Sequence, residues 1–273
     1  TDGTTIAGVL ADNGGPVPTI ALNAAVTNPA LDASGGANIL AADARGELAV
    51  DQPGVGAEGA VAGIRDLGAF ELTAEIPSLV VTTTADVVDP FDLVTSLREA
   101  LMLANATPGV DVITFATGAG EAFENGGTIR LTQGELVATE AVTITGLTDA
   151  DGKPLIRVTG DAAGNDVLDA NGNTDVAASL AEGVLGDNSR VLIVNSPDGT
   201  TTLTGLIITG GRTTADFADG GGVRSAGAIT LTSSTVSGNS TSGSGADGGG
   251  IFSDDITTLT NSIVLGNASA QTT

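Results

Sequence analysis

The phrase Asp169-Ala170-Asn171-Gly172-Asn173-Thr174-Asp175 is where this chain comes closest to metal chemistry. Its alternate oxygen-bearing side chains, Asp169, Asn171, Asn173 and Asp175, can converge around a glycine turn on one hard cation, and calcium suits such a set. The phrase is not an EF-hand, because its glycine is the fourth residue rather than the sixth and no glutamate closes it. Asp149 and Asp151 lie upstream and extend the donor set. A second candidate is Asp219 with Asp247, 28 residues apart and each directly before three glycines. Stacked in register, their carboxylates would lie about 5–7 Å apart and repel unless a cation or water intervened. For both candidates the alternative is a solvated acidic loop on an acidic chain.

Catalysis has less to stand on. Acid–base work needs a base beside the acidic groups, yet histidine and cysteine are absent, and the single lysine, Lys153, falls in an Asp-Gly turn. Arg212 and Arg224 flank the repeats without a compact carboxylate pair, and no Trp or Tyr offers a sugar platform. The expectation is a non-enzymatic chain. A polysaccharide-binding or polysaccharide-degrading β-helix is the alternative. Ice binding is a minor one: Thr204, Thr232 and Thr260 form one threonine column, but its neighbours read as Gly, Ser and Asn rather than a second threonine row.

What must position these residues is a phrase written three times. LTGLIITG begins at Leu203, LTSSTVSG at Leu231 and LTNSIVLG at Leu259, each start 28 residues after the last. Leu203/231/259, Thr204/232/260, Ile208/Val236/Val264 and Gly210/238/266 survive in all copies, while Asn239 and the Gly220–Gly222 triplet recur once more. Short apolar–polar alternations bounded by Gly, Asn and Ser are strands and turns. A unit this short buries a core only by stacking on its neighbours, so the repeats over 203–268 predict a β-solenoid. Identical residues then lie about 4.8 Å apart. The leucines form an internal stack, and Asn239 over Asn267 forms an amide ladder.

Composition agrees. The chain has 273 residues, is 41% hydrophobic but only 2% aromatic, and carries 40 glycines, which suits a narrow core of small branched side chains. Net charge of −24 argues against nucleic acid and anionic membranes and favours multivalent cations as partners. No stretch approaches the ~20 apolar residues of a membrane span. No signal peptide opens the chain, so Thr1 reads as an internal cut.

Ser96-Leu97-Arg98-Glu99 is a capping box. Leu97, Leu101 and Ala104 share one helical face, and Pro108-Gly109 stops the helix. A helix over 96–106 would cover the exposed edge of the first coil. Residues 149–190 read as an acidic insertion, and Val191–Asn195 resumes the strand pattern.

Two stretches resemble known sequences. TSLREALMLANATPGVDVITF, from Thr95, closely resembles the N-terminal motif named for the sequence CSLREA, found where secreted bacterial β-helices begin. Thr95 stands where that motif has cysteine, so the cap must hold by packing. GGTIRLTQGELVATEAVTITG, from Gly126, continues the likeness, with strands expected at Thr128–Leu131, Glu135–Val137 and Ala141–Ile144. LADNGGPVPTIAL, NPALDAS and DQPGVG…DLGAFE, within 1–72, resemble the C-terminal end of choice-of-anchor Q-type secreted β-helix proteins, departing from that pattern at Ile20.

These resemblances imply an all-β, right-handed parallel β-helix with one short capping α-helix. Residues 1–72 form a C-terminal-type end segment, 73–78 a linker, and 79–273 the cap and shaft of a β-helix. They imply a secreted or surface-exposed bacterial structural module of an adhesin or fibre. Unfilled solenoid ends add the expectation of head-to-tail assembly with copies of itself, and the acidic charge that of stiffening by calcium. Extracellular polysaccharide or the cell surface is the implied outside partner.

Overall fold

The computed structural model describes residues 75–269; the expected end segment 1–72 lies outside them. Pro77–Val88 and the described residues from Val94 onward form one compact unit, while Asp89–Leu93 belongs to another. The larger unit is a solenoid of about five coils in which every strand pairs in parallel.

Four sheets run along the solenoid. The first joins Val80–Val81, Asp111–Phe115, Val142–Thr145, Thr200–Thr204, Ala228–Thr232 and Thr257–Thr260. The second joins Gly127–Arg130, Ile156–Thr159, Leu206–Thr209, Thr235–Ser237 and Ile263–Leu265. The third joins Leu136–Ala138, Leu192–Val194, Val223–Ser225 and Ile251–Ser253. A short sheet of Arg212–Thr213, Ser240–Thr241 and Ala268–Ser269 completes the coils.

The register follows the 28-residue phrase. Leu203 pairs with Leu231 and Leu231 with Leu259, and Ile113–Ile144–Leu203 extends that column toward the first coil. Opposite it runs Ile129–Val158–Ile208–Val236–Val264. Alternate side chains point to opposite faces, so these two columns fill the interior. Leu203, Leu231 and Val236 are fully buried. The recurring glycine has a steric reason: Gly238 sits at φ +65°, and a Cβ there would lie 2.0 Å from the Thr174 carbonyl oxygen.

Helix α1, Leu97–Ala106, caps the first coil with Leu97, Ala100, Leu101 and Ala104 buried. The capping box forms as expected, with Ser96 Oγ accepting from Glu99 N and Glu99 Oε2 accepting from Ser96 N. Thr95 is buried and tied to Thr82 through its backbone amide, which donates to Thr82 Oγ1 at 2.7 Å. Arg98 clamps the helix down: it binds Asp86 through both carboxylate oxygens, at 2.7 and 3.0 Å, and donates to the Gly134 and Glu135 carbonyls.

Two expectations need correction. The stretch 149–190 is not one insertion, because Ile156–Thr159 is a regular strand of the second sheet. The chain instead leaves the coil twice, as a short turn at 147–155 and as a longer excursion from 160 to 190. That excursion holds a second helix, α2, Val176–Glu182, with Asp175 as N-cap and Gly183 in the left-handed conformation at its end. The three strands expected from Thr128, Glu135 and Ala141 each begin one residue away from the predicted start.

Candidate functional site

The two excursions carry most of the expected metal ligands and close by the same device. Asp149 Oδ1 accepts from the amides of Asp151 and Lys153, at 3.0 and 2.8 Å. Asp169 Oδ1 accepts from Asn171 and Asn173, at 2.8 and 2.9 Å. Each aspartate thereby satisfies the donors of its own turn. Burial pushes the Asp169 carboxyl up, but the donors from Asn173 and Asn171 outweigh it and hold the group below the usual aspartate range.

The positive charge at the second turn belongs to the protein. Arg157, on the strand beneath, donates to Asn173 Oδ1 at 2.9 Å and reaches the Asn171 carbonyl. Burial lowers the Arg157 pKa, and the nearby Asp169 charge opposes that. Asp175 Oδ1 is occupied in capping α2, accepting from Ala178 N at 3.0 Å. Of the four side chains singled out in this phrase, Asp169, Asn173 and Asp175 thus face protein donors. Among the described residues no group of three or more acidic side chains is placed to hold a metal ion.

Asp219 and Asp247 do stack, but not as two facing carboxylates. Asp219 Oδ1 accepts the backbone amide of Asp247 at 2.7 Å, and the same step recurs from Asp216 to Ser244. Buried Arg190 supports this edge: it donates to the carbonyls of Gly220 and Asp219, and pairs with Glu135 at 2.6 Å. Asp254, exposed on the outside of its coil, pairs with Arg224 at 3.0 Å.

A groove of about 920 Å³ runs along the second sheet between the two excursions. Ile207, Thr235 and Ile263 floor it; Lys153, Asp175 and Leu180 stand on its walls. Asp151 and Asp169 line it as well, so Lys153, the chain's one lysine, shares the groove with three aspartates.

The first sheet holds a feature the sequence reading missed. Thr143, Thr202, Thr230 and Thr258 align in one column, and Thr145, Thr204, Thr232 and Thr260 in the next outward-facing one. A second threonine row does exist, against the expectation. It lies two residues before the first, in the same strand and directly ahead of each phrase, rather than downstream where Gly, Ser and Asn follow.

The last described coil differs from those before it. Leu259 is 48% exposed and Val264 44%, whereas their counterparts Leu231 and Val236 are fully buried. Ile263 and Leu265 beside them are exposed as well. No described helix is long and apolar enough to cross a membrane. Comparison with known proteins found no matching family model, curated protein or solved structure.

Proposed function

We propose that this chain is a structural module of a secreted or surface-exposed bacterial fibre or adhesin, non-catalytic, which associates head-to-tail with copies of itself through the face of its last described coil. The observation that carries this reading is the apolar face of the last described coil. Helix α1 covers the first coil, while Leu259 and Val264 expose the same apolar columns that are sealed one coil earlier. An uncovered coil presents unpaired backbone and apolar side chains, which favours addition of another parallel coil. Contacts of this kind that do not close on themselves build filaments. The likeness of the cap to the starts of secreted β-helices supports an extracellular setting.

Calcium belongs to the same reading. A chain of net charge −24 gains stability when a divalent cation offsets its self-repulsion. The test is concentration-dependent association followed by sedimentation, with Leu259→Lys and Val264→Lys as the disrupting pair. A polysaccharide partner would have to use the groove over Ile207 and Thr235, and turnover of an acidic polysaccharide by this chain would overturn the non-catalytic reading.

A further inference from the structure

The first sheet carries eight threonines as a two-by-four array on its outer face. Along each strand the paired positions are two residues apart, about 6.6 Å, and between coils the step is about 4.8 Å. Ile144, Leu203 and Leu231 lie between the columns and point inward, so the backbone holds the outer positions in one repeating orientation. Threonine adds stiffness of its own, because its β-branch restricts χ1. Each site thus presents a methyl group and a hydroxyl at a fixed place.

Those hydroxyls are not used by the fold. Elsewhere the protein spends its small hydroxyls on itself: Thr201 accepts from Val142 N, Thr209 from Thr174 N, and Ser234 from Leu206 N. None of the eight array threonines makes a side-chain hydrogen bond to another described residue, and six of the eight are half-buried by their neighbours while Thr258 and Thr260 are exposed. No charged residue stands in either column, on a chain with 33 acidic residues. Val112, which continues the first column beyond Thr143, is uncharged too.

We propose that this face binds ice, holding a layer of water in register with a crystalline water lattice. Water molecules in hexagonal ice repeat along two directions at spacings near those of the array. Each hydroxyl donates to and accepts from water, and the intervening methyl groups keep that layer from being pulled into disordered hydration. A soluble glycan is the less suitable occupant: no aromatic ring stands in the array for a sugar to stack on, and its hydroxyls repeat where a sugar chain would demand variety. The inference is independent of coil-to-coil association, since one monomer carries the whole array.

Ice-affinity partitioning tests it. A labelled dilute solution is frozen slowly onto a cold surface, and protein in the ice is compared with protein left in the liquid. The chain is expected to enter the ice and to slow recrystallisation. Thr202→Lys with Thr230→Lys should lose both effects while keeping the circular dichroism and melting curve of the parent. Thr235→Lys, on a different sheet, should keep them. Exclusion of the unaltered chain from ice, equal retention of the Thr202/Thr230 variant, or binding to a soluble polysaccharide that the same variant abolishes would overturn the proposal.

Discussion

Asn239 and Asn267 occupy the same turn on successive coils, and Asn239 donates to Asn267 Oδ1 twice, from its backbone amide at 3.1 Å and from Nδ2 at 2.9 Å. The ladder continues one coil back, where Gly211 N donates to Asn239 Oδ1 at 2.8 Å. Asn239 Nδ2 also serves the carbonyls of Ile208 and Ser237, and the residue is fully buried. Only an amide supplies both the acceptor and the donors this position needs.

Asn239→Ala should therefore cost on the order of 3 kcal/mol, because several buried backbone groups lose their partner at once. Asn239→Asp should also destabilise, by placing an acceptor-only charge opposite carbonyls. Urea denaturation midpoints check this. A change within about 0.5 kcal/mol would mean that water replaces the ladder.

The Arg98–Asp86 pair should matter more than a surface ion pair. Asp86 is 1% exposed in its side chain and Arg98 14%, and both Asp86 oxygens and two carbonyls are bound to the same guanidinium. Removing either partner leaves a buried charge, so Arg98→Ala or Asp86→Ala should cost about 3–5 kcal/mol. Arg98→Lys should not rescue it, since one ammonium cannot reproduce the fork. Loss of protease resistance at α1 ahead of the shaft would locate the damage to the cap.

Asp166 sets a pH dependence with the unusual sign. Its Oδ2 accepts from Thr174 Oγ1 at 2.9 Å and Asn188 Nδ2 at 2.8 Å, while its Oδ1 and Asn188 Oδ1 are both buried without a partner. Burial pushes the carboxyl above the usual aspartate range; the bonds from Asn188 and Thr174 oppose this, and the charges of Asp161 and Asp187 add to it. The folded state thus binds this proton more tightly than the unfolded chain, where the group titrates near about 3.9. Its stabilising contribution is present below that value and is lost as pH rises through the folded pKa. Asp166→Asn copies the neutral form and should be more stable than the parent at pH 7, with a flatter pH profile. A lower melting temperature for the variant at pH 7 would show that the carboxylate itself is preferred.

Calcium should raise the melting temperature and a chelator should reverse it, as expected of a ligand that favours the folded state. Because Arg157 already holds Asn173 Oδ1 and the turn amides hold Asp169 Oδ1, Asp169→Asn should leave most of that calcium effect in place. An effect abolished by Asp169→Asn would place the ion in that turn after all.

Much of the shaft was legible because identical residues at a fixed interval report register directly. Leu203, Leu231 and Leu259 pair as the spacing says, and Ser96 with Glu99 caps the helix where the capping box predicts. The strand Ile156–Thr159 escaped because two turns bracket it within an acidic stretch, and its partners lie far away in sequence. Helix α2 carried its signals, Asp175 as N-cap and Gly183 at its end, but spans only Val176–Glu182. Arg157 could not be read as the partner of Asn173, since only folding brings the strand under the turn. The second threonine row was visible in the letters, two positions before each leucine's companion, once outward side chains are taken at every second residue.

The account rests most heavily on the exposed face of the last described coil, and sedimentation velocity across a concentration series tests it most directly. The chain should associate as concentration rises, and Leu259→Lys with Val264→Lys should hold it monomeric without lowering its melting temperature, since both side chains are already about half exposed. A parent chain that stays monomeric at every concentration, or a double variant that associates equally well, would contradict it.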